Sequence, residues 1–306
     1  MSRPPSPVAT AVAGALCIAF SAIFVRLAET APSTAALFRC FWALPVLGLL
    51  AWLEQRRHGP RGGRERLLAL LAGLFFAADL IAWHHAIDDV GAGLATVLGN
   101  LQVVFVGLIA WAALGERPED RLLVAVPIVL GGVVLISGVI GAGAYGDDPA
   151  LGVVFGLITA ITYSLFILIL RRAGSDLRQP AGPLFDATAA AAVGSLAGGL
   201  VLGEIDLLPG WEATGWLVTL ALSSQVVGWL LISISLPRLP AALTSVLLTV
   251  QPVGSVLLGI VLLSEAPSRV QLTGVAVVLA GILVATVGRA KAAPAAVGVA
   301  GSGDSL

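Results

Sequence analysis

AGLATVLGNLQVVFVGLIAWAALGERP, residues 92–118, aligns without a gap on AALTSVLLTVQPVGSVLLGIVLLSEAP, residues 241–267. Gln102 falls on Gln251, Glu116 on Glu265 and Pro118 on Pro267, each pair 149 positions apart, and ten of the 27 aligned positions are identical. Apolar segments resemble one another through composition, but composition does not put a glutamine, a glutamate and a proline in register. The chain therefore carries an internal duplication.

The duplicated material is membrane material. The chain is 58% hydrophobic and 11% charged, with a mean hydropathy of +0.99, whereas a soluble chain carries about 25% charge. Ten segments are long and apolar enough to span a bilayer, roughly 8–28, 34–53, 67–87, 91–114, 121–141, 150–170, 184–203, 214–236, 240–263 and 270–288. The runs are too long and too rich in Ala and Leu for strands. The first run exceeds a signal-peptide core and reads as a retained span. Residues 1–7 form a short N-terminal segment, and the tail 289–306 is small, polar and expected to be disordered. The fold class expected is an all-α integral membrane protein of ten transmembrane helices.

Basic residues set the expected orientation. With the N-terminus in the cytoplasm, 14 of 17 Lys and Arg residues fall inside: Arg3, Arg56, Arg57, Arg61, Arg64, Arg66, Arg117, Arg121, Arg171, Arg172, Arg178, Arg238, Arg289 and Lys291. The outer loops are acidic, with Asp88-Asp89, Asp147-Asp148, Glu204, Asp206 and Glu212. Both termini are then cytoplasmic. Five spans per half is an odd number, so the second half enters the membrane inverted. The two repeats are 8–141 and 150–288, a five-plus-five inverted repeat. Halves of opposite topology around a midplane site are the sequence sign of a secondary transporter.

These residues resemble a known family. Ten spans in an inverted duplication, with LGERP and LSEAP closing spans four and nine, look like the EamA-type branch of the drug/metabolite transporter superfamily, over about residues 8–288. Phe75-Phe76-Ala77-Ala78-Asp79-Leu80-Ile81-Ala82-Trp83-His84 looks like the span-three motif of one subgroup. Gln225-Val226-Val227-Gly228-Trp229 and Leu239-Pro240-Ala241-Ala242-Leu243 are similar to its spans eight and nine. The resemblance implies export of small metabolites from a bacterial cytoplasm, across the inner membrane, by alternating access. The family places a proline mid-helix in both copies of this span. Here the second copy has Gln251-Pro252 and the first has Gln102-Val103, so span four is expected to be straighter than span nine.

Asp79 is the leading functional candidate. An ionised carboxylate mid-span costs about 2.5–3.5 kcal/mol, so it must be protonated, paired or facing a wet cavity. Substrate contact or proton coupling is one reading, and a buried helix-bonding Asp the other. Trp83 follows at i+4 on the same face, either as an aromatic wall or as an interfacial Trp. His84 is a candidate proton relay beside a bland packing reading, and His85 reads as interfacial. Gln225 and Trp229 repeat the polar-then-aromatic i, i+4 pattern. Thr244, Gln251 and Ser255 form a polar stripe in span nine. Asn100 and Gln102 lie two residues apart, so at most one faces a cavity squarely. Tyr163 and Ser164 in span six complete the set. Each amide or hydroxyl carries an equal claim as helix-helix glue. Arg39 and Asp186 occupy equivalent repeat positions on opposite sides and cannot pair. Arg39 is expected to snorkel to the nearer interface. The expected cavity is lined by spans three, four, six, eight and nine.

Net charge of −1 gives no argument for a nucleic-acid partner. Cys17 and Cys40 sit in apolar runs and read as packing residues, and no Cys or His pair has zinc-ligand spacing. No metal or cofactor is expected. The partners expected are a small-molecule substrate, the lipid bilayer and, where transport is coupled, H⁺; the chain is expected as a monomer or homodimer. Direction stays open between export and import, because an inverted repeat is symmetric, and so does facilitated diffusion. An enzyme reading lacks a His-Glu-x-x-His or any Ser–His constellation. A scaffold or receptor reading lacks a soluble output domain.

Overall fold

The computed structural model describes residues 6–114, 120–174, 178–235 and 250–286. Among them every regular element is helical, and ten bodies follow in chain order. They are α1 (Pro7–Ala28), α2 (Pro32–His58), α3 (Gly63–Val90), α4 (Ala92–Gly99 continued by Gln102–Leu114), α5 (Asp120–Ile136), α6 (Pro149–Ala173), α7 (Ala181–Leu202), α8 (Trp211–Ser235), α9 (Val250–Leu262) and α10 (Arg269–Thr286). Seven are long and apolar enough to cross a membrane. Thr244, Glu116 and the tail 289–306 lie outside the described residues. Large apolar side chains face outward along the bundle, such as Leu67, Val193 and Val201, which water would not tolerate but lipid does.

Turn chemistry sets the ends. Proline stands in the first turn of α1, α2 and α6, where its missing N–H is not needed. Ser6 and Asp148 cap α1 and α6 through the N–H groups of Ala9 and Leu151. Gly203 stops α7 in the left-handed region.

The two halves pack as inverted copies. The spans that correspond through the 149-residue offset lie side by side, α2 on α7, α4 on α9 and α5 on α10, while α3–α6 and α1–α8 exchange with each other. Each corresponding pair runs antiparallel. At the start of α2, Thr34 Oγ1 accepts the N–H of Asp206, just past the end of α7, at 2.9 Å. Near its other end, Glu54 accepts the N–H groups of Ala181 and Gly182 at the start of α7, both at 3.0 Å. Glu265, beyond the end of α9, accepts the N–H of Ala92 at the start of α4 at 2.6 Å and that of Gly93 at 3.2 Å. Gln271 at the start of α10 donates to the carbonyl of Ile136 at the end of α5, at 3.3 Å. About one turn further in, Gly132 and Gly274 meet so closely that a Cβ on either would come within 2.8 Å of the other's carbonyl oxygen. Small residues thus let these helices touch backbone to backbone. Gly194 and Gly198 of α7 leave room for the side chains of Ala77 and Ile81 of α3.

Two spans depart from regular helix. Span four is interrupted at Asn100-Leu101 without any proline. The Asn100 side chain donates to the Thr96 carbonyl at 2.8 Å, and Val103 and Val104 fall back on i→i−3 bonds to Asn100 and Leu101. The Asn100 amide thus competes with the backbone for the Thr96 carbonyl. The first half of span nine lies outside the described residues. Span eight is also irregular, because Ala221–Gly228 winds as a π-helix.

Candidate functional site

Interrupted helices converge on one internal cavity. α1 breaks at Phe20, and the carbonyls around the break are taken by other spans: Ser224 donates to Cys17 O and Ser255 to Ala19 O, both at 2.9 Å. α4 breaks at Asn100, and α8 carries its π segment at the same level of the bundle. Irregular backbone at membrane depth is tolerated where it is buried in protein or lines a cavity. The cavity's own volume is about 50 Å³; counting all the space between the walls, open mouth included, gives about 460 Å³. Its walls come from α1 (Ile18, Ser21), α2 (Arg39), α3 (Phe76, Asp79, Leu80, Trp83), α4 (Thr96, Gly99, Asn100), α6 (Thr159, Tyr163), α8 (Trp229) and α9 (Gln251). Spans one and two therefore join the five expected from the sequence. Trp83 belongs to one hydrophobic cluster of the bundle and Phe76 and Trp229 to the other, so the cavity lies where the two meet.

Of the nine sequence candidates, Asp79, Trp83, Asn100, Tyr163, Trp229 and Gln251 line this cavity together. His84, Gln102 and Gln225 do not. His84 is 1% exposed and its Nδ1 lies 2.9 Å from the Pro32 carbonyl, so it ties α3 to the first turn of α2. Gln102 is buried outside the cavity walls, and its backbone carbonyl accepts from Ser164 Oγ of α6 at 3.2 Å. His85 stacks on Phe155 with centroids 4.7 Å apart and pairs with Glu204 at 3.1 Å. Gln225, unlike Trp229, does not line the cavity. Gln225 is instead fully buried against α2 and α7.

Arg39 is the residue that the sequence reading placed wrongly. It does not snorkel; it is 4% exposed and lines the cavity. Its Nε donates to Gln225 Oε1 at 3.1 Å and its Nη1 to Ser21 Oγ at 3.0 Å. Gln225 in turn donates to Thr188 Oγ1 at 3.1 Å. The guanidinium lies 5.7 Å from the Trp83 ring and 6.0 Å from the Phe76 ring, within cation–π range. The signal was available in the depth of Arg39, two turns inside a helix that begins at Pro32, where an arginine needs polar partners from other spans. Asp186 is buried as well, but it pairs with basic residues elsewhere: its Oδ2 lies 2.6 Å from Arg61 Nη2 and 3.6 Å from Arg66 Nε.

Rings build the remaining wall. Phe76 and Phe166 stack at 4.4 Å, and Trp229 stands edge-on to Phe76, Tyr163 and Phe166 at 6.2, 6.1 and 5.5 Å. Such edge-to-face sets hold their geometry through the ring quadrupoles. The arrangement offers a cation, a carboxylate, two amides and an aromatic lining in one narrow space. Among the described residues no group of three His, Cys, Asp or Glu side chains is placed to hold a metal.

Comparison with known proteins agrees with this architecture. The EamA-like transporter family matches residues 6–138 and again residues 150–287, and the chain belongs to that family. An uncharacterized transporter of Archaeoglobus fulgidus is 24% identical over 230 residues, covering 73% of this chain and 77% of that protein. A crystal structure superposes with a TM-score of 0.62 at 20% identity, over 97% of this chain and 99% of that one. At that identity the likeness speaks for the fold alone. The chain is thus a multi-pass membrane protein of a transporter family.

Proposed function

We propose that this chain is a secondary transporter that exports small organic metabolites or drugs across a bacterial inner membrane by alternating access, with both termini in the cytoplasm. The observation that carries this reading is the cavity between antiparallel halves, lined by buried Arg39 and Asp79. Neither charge has a reason to lie there in a purely structural bundle, because desolvation costs more than it returns. Substrate contacts come from Asp79, Trp83, Asn100, Tyr163, Trp229, Gln251 and Arg39, with Gln225 positioning Arg39. No reaction is assigned to the site.

Coupling to H⁺ is part of the proposal, with Asp79 as the group that takes and releases the proton. A buried carboxylate with no hydrogen-bond partner among the described residues is costly to ionise, so its protonation depends on which side the cavity faces. The charged and titratable groups facing the same space are Arg39 from α2 and Tyr163 from α6. Counterflow in liposomes, with and without a pH gradient, tests this. An Asp79→Asn variant that stays as pH-responsive as the wild-type chain removes Asp79 from coupling. Loss of response with counterflow retained supports it. The symmetry of the repeat fits an importer or an uncoupled facilitator equally. Resistance of overproducing cells to a toxic metabolite analogue is the expected result for an exporter, and sensitisation the result for an importer.

A further inference from the structure

We infer that the turn between α2 and α3 binds an anionic phospholipid of the bilayer, with Arg56 and Arg64 on the headgroup phosphate and Trp52 beside the acyl chain. The inference stands apart from the transport reading, since headgroups lie at both faces of a membrane. Five of the 17 basic residues fall within residues 56–66, namely Arg56, Arg57, Arg61, Arg64 and Arg66. Arg56, Arg57 and Arg64 are exposed and make no ion pair among the described residues. The carboxylates nearby are already engaged. Glu54 accepts the N–H groups of Ala181 and Gly182, and Glu65 accepts Gly62 N–H at 3.3 Å. Asp186 holds Arg61 and Arg66. Arg61 Nη1 is buried and has no hydrogen-bond partner among the described residues. Guanidinium donors in this turn thus outnumber their acceptors.

The free arginines stand where the lipid-facing surface ends. Along α2 an exposed apolar stripe of Leu49, Trp52 and Leu53 runs up to Arg56, and along α3 Leu74, Leu71 and Leu67 run back to Arg64. Steps of three and four keep each stripe on one helix face. The Arg56 guanidinium lies 3.9 Å from the centroid of the Trp52 ring, which is 47% exposed. A tryptophan at headgroup level with a cation over its face is an interfacial arrangement, and the stacked guanidinium keeps its planar fork for a phosphate. Only residues 59–62 separate the two helices, so both arginines sit at one end of the hairpin. Orienting the chain during insertion would need the charge alone. Nor does closing the turn require it, because the corresponding turn of the second repeat, residues 203–210, has no basic residue.

The test titrates the full-length chain in detergent with phosphatidylglycerol or with phosphatidylcholine of the same acyl chains, read by native mass spectrometry. Phosphatidylglycerol is expected to bind at least about tenfold more tightly, two basic residues being worth about fivefold each. Arg56→Gln combined with Arg64→Gln should cut its affinity about 25-fold on the same scale. Arg171→Gln combined with Arg172→Gln removes as much charge from two exposed arginines at the end of α6, and should cost less than about threefold, the worth of distant screened charge. Trp52→Leu keeps every charge and should still weaken phosphatidylglycerol by about threefold. None of the substituted side chains is buried, so each variant is expected to fold. A preference for phosphatidylglycerol below about threefold overturns the inference. Equal losses from the two double variants also overturn it, leaving only general attraction to positive charge. Displacement of the lipid by millimolar inorganic phosphate would overturn it as well, since the turn would then take a soluble anion.

Discussion

Glu265, at the end of the second repeat's α9, accepts the N–H of Ala92, the first residue of the first repeat's α4, at 2.6 Å. Its other oxygen accepts Gly93 N–H at 3.2 Å. Two otherwise orphaned helix donors are satisfied from the opposite half, and a carboxylate at a helix N-terminus also suits the helix dipole. Glu265 is 4% exposed, so water does not replace it readily. Glu265→Ala is expected to destabilise the bundle by about 1–3 kcal/mol. Glu265→Gln, which keeps an acceptor, should cost less than half of that. Unfolding in a mixed-micelle denaturant series measures both, and equal losses would mean that the hydrogen bonds do not carry the contact.

Gln225 is expected to act on the site through Arg39. Gln225→Leu leaves Arg39 Nε and Thr188 Oγ1 without partners in a buried setting, at a cost of about 1–3 kcal/mol. Gln225→Glu keeps both contacts, since a carboxylate accepts from the guanidinium and from the hydroxyl. It should therefore stay close to wild-type stability while weakening ligand binding by neutralising Arg39. A calorimetric titration beside a thermal unfolding scan separates the two effects.

Val103→Pro restores the proline that this copy of the repeat lacks. Inside a regular helix such a change costs about 3 kcal/mol. The helix is already interrupted at Asn100-Leu101, and Val103 N–H makes only a 3.2 Å bond to Asn100 O. The loss should stay below about 1.5 kcal/mol, half the helix-interior cost. A full-size loss in the same unfolding assay would show that the break is not a place prepared for a kink.

Asp186 and Arg61 form a pair whose side chains are 5% and 14% exposed, and it joins α7 to the segment between α2 and α3. Asp186→Asn leaves Arg61 half-buried beside a neutral group and should cost about 1–3 kcal/mol. Replacing both by leucine removes the desolvation cost along with the attraction, so the double variant should be less destabilised than Asp186→Asn. The thermal midpoints of the two variants decide it.

Architecture was legible where a physical rule admits few answers. Apolar run lengths gave the helices, and an odd number of spans per half made antiparallel pairing of α2–α7, α4–α9 and α5–α10 the natural packing. The cavity was partly legible, because Asp79 amid apolar residues in α3 must face something polar. The failures have local causes. Arg39 was read by the default for arginine near a helix end, and that default ignores partners supplied by α1 and α8, which no local pattern displays. Gln225 is held by Arg39 of α2 and Thr188 of α7, partners that its own helix period does not reveal. The break in α4 has no proline to announce it; Asn100 interrupts the ladder by another route.

Every role given to the cavity depends on the two halves crossing the bilayer in opposite directions. The direct measurement is labelling with a membrane-impermeant thiol reagent in a background lacking Cys17 and Cys40, with single cysteines at Asp148 and at Arg64, both exposed. Modification from opposite faces is expected, Asp148→Cys from outside intact cells and Arg64→Cys only after the cells are opened. Reaction of both from the same face would contradict the inverted arrangement and the transport cycle built on it.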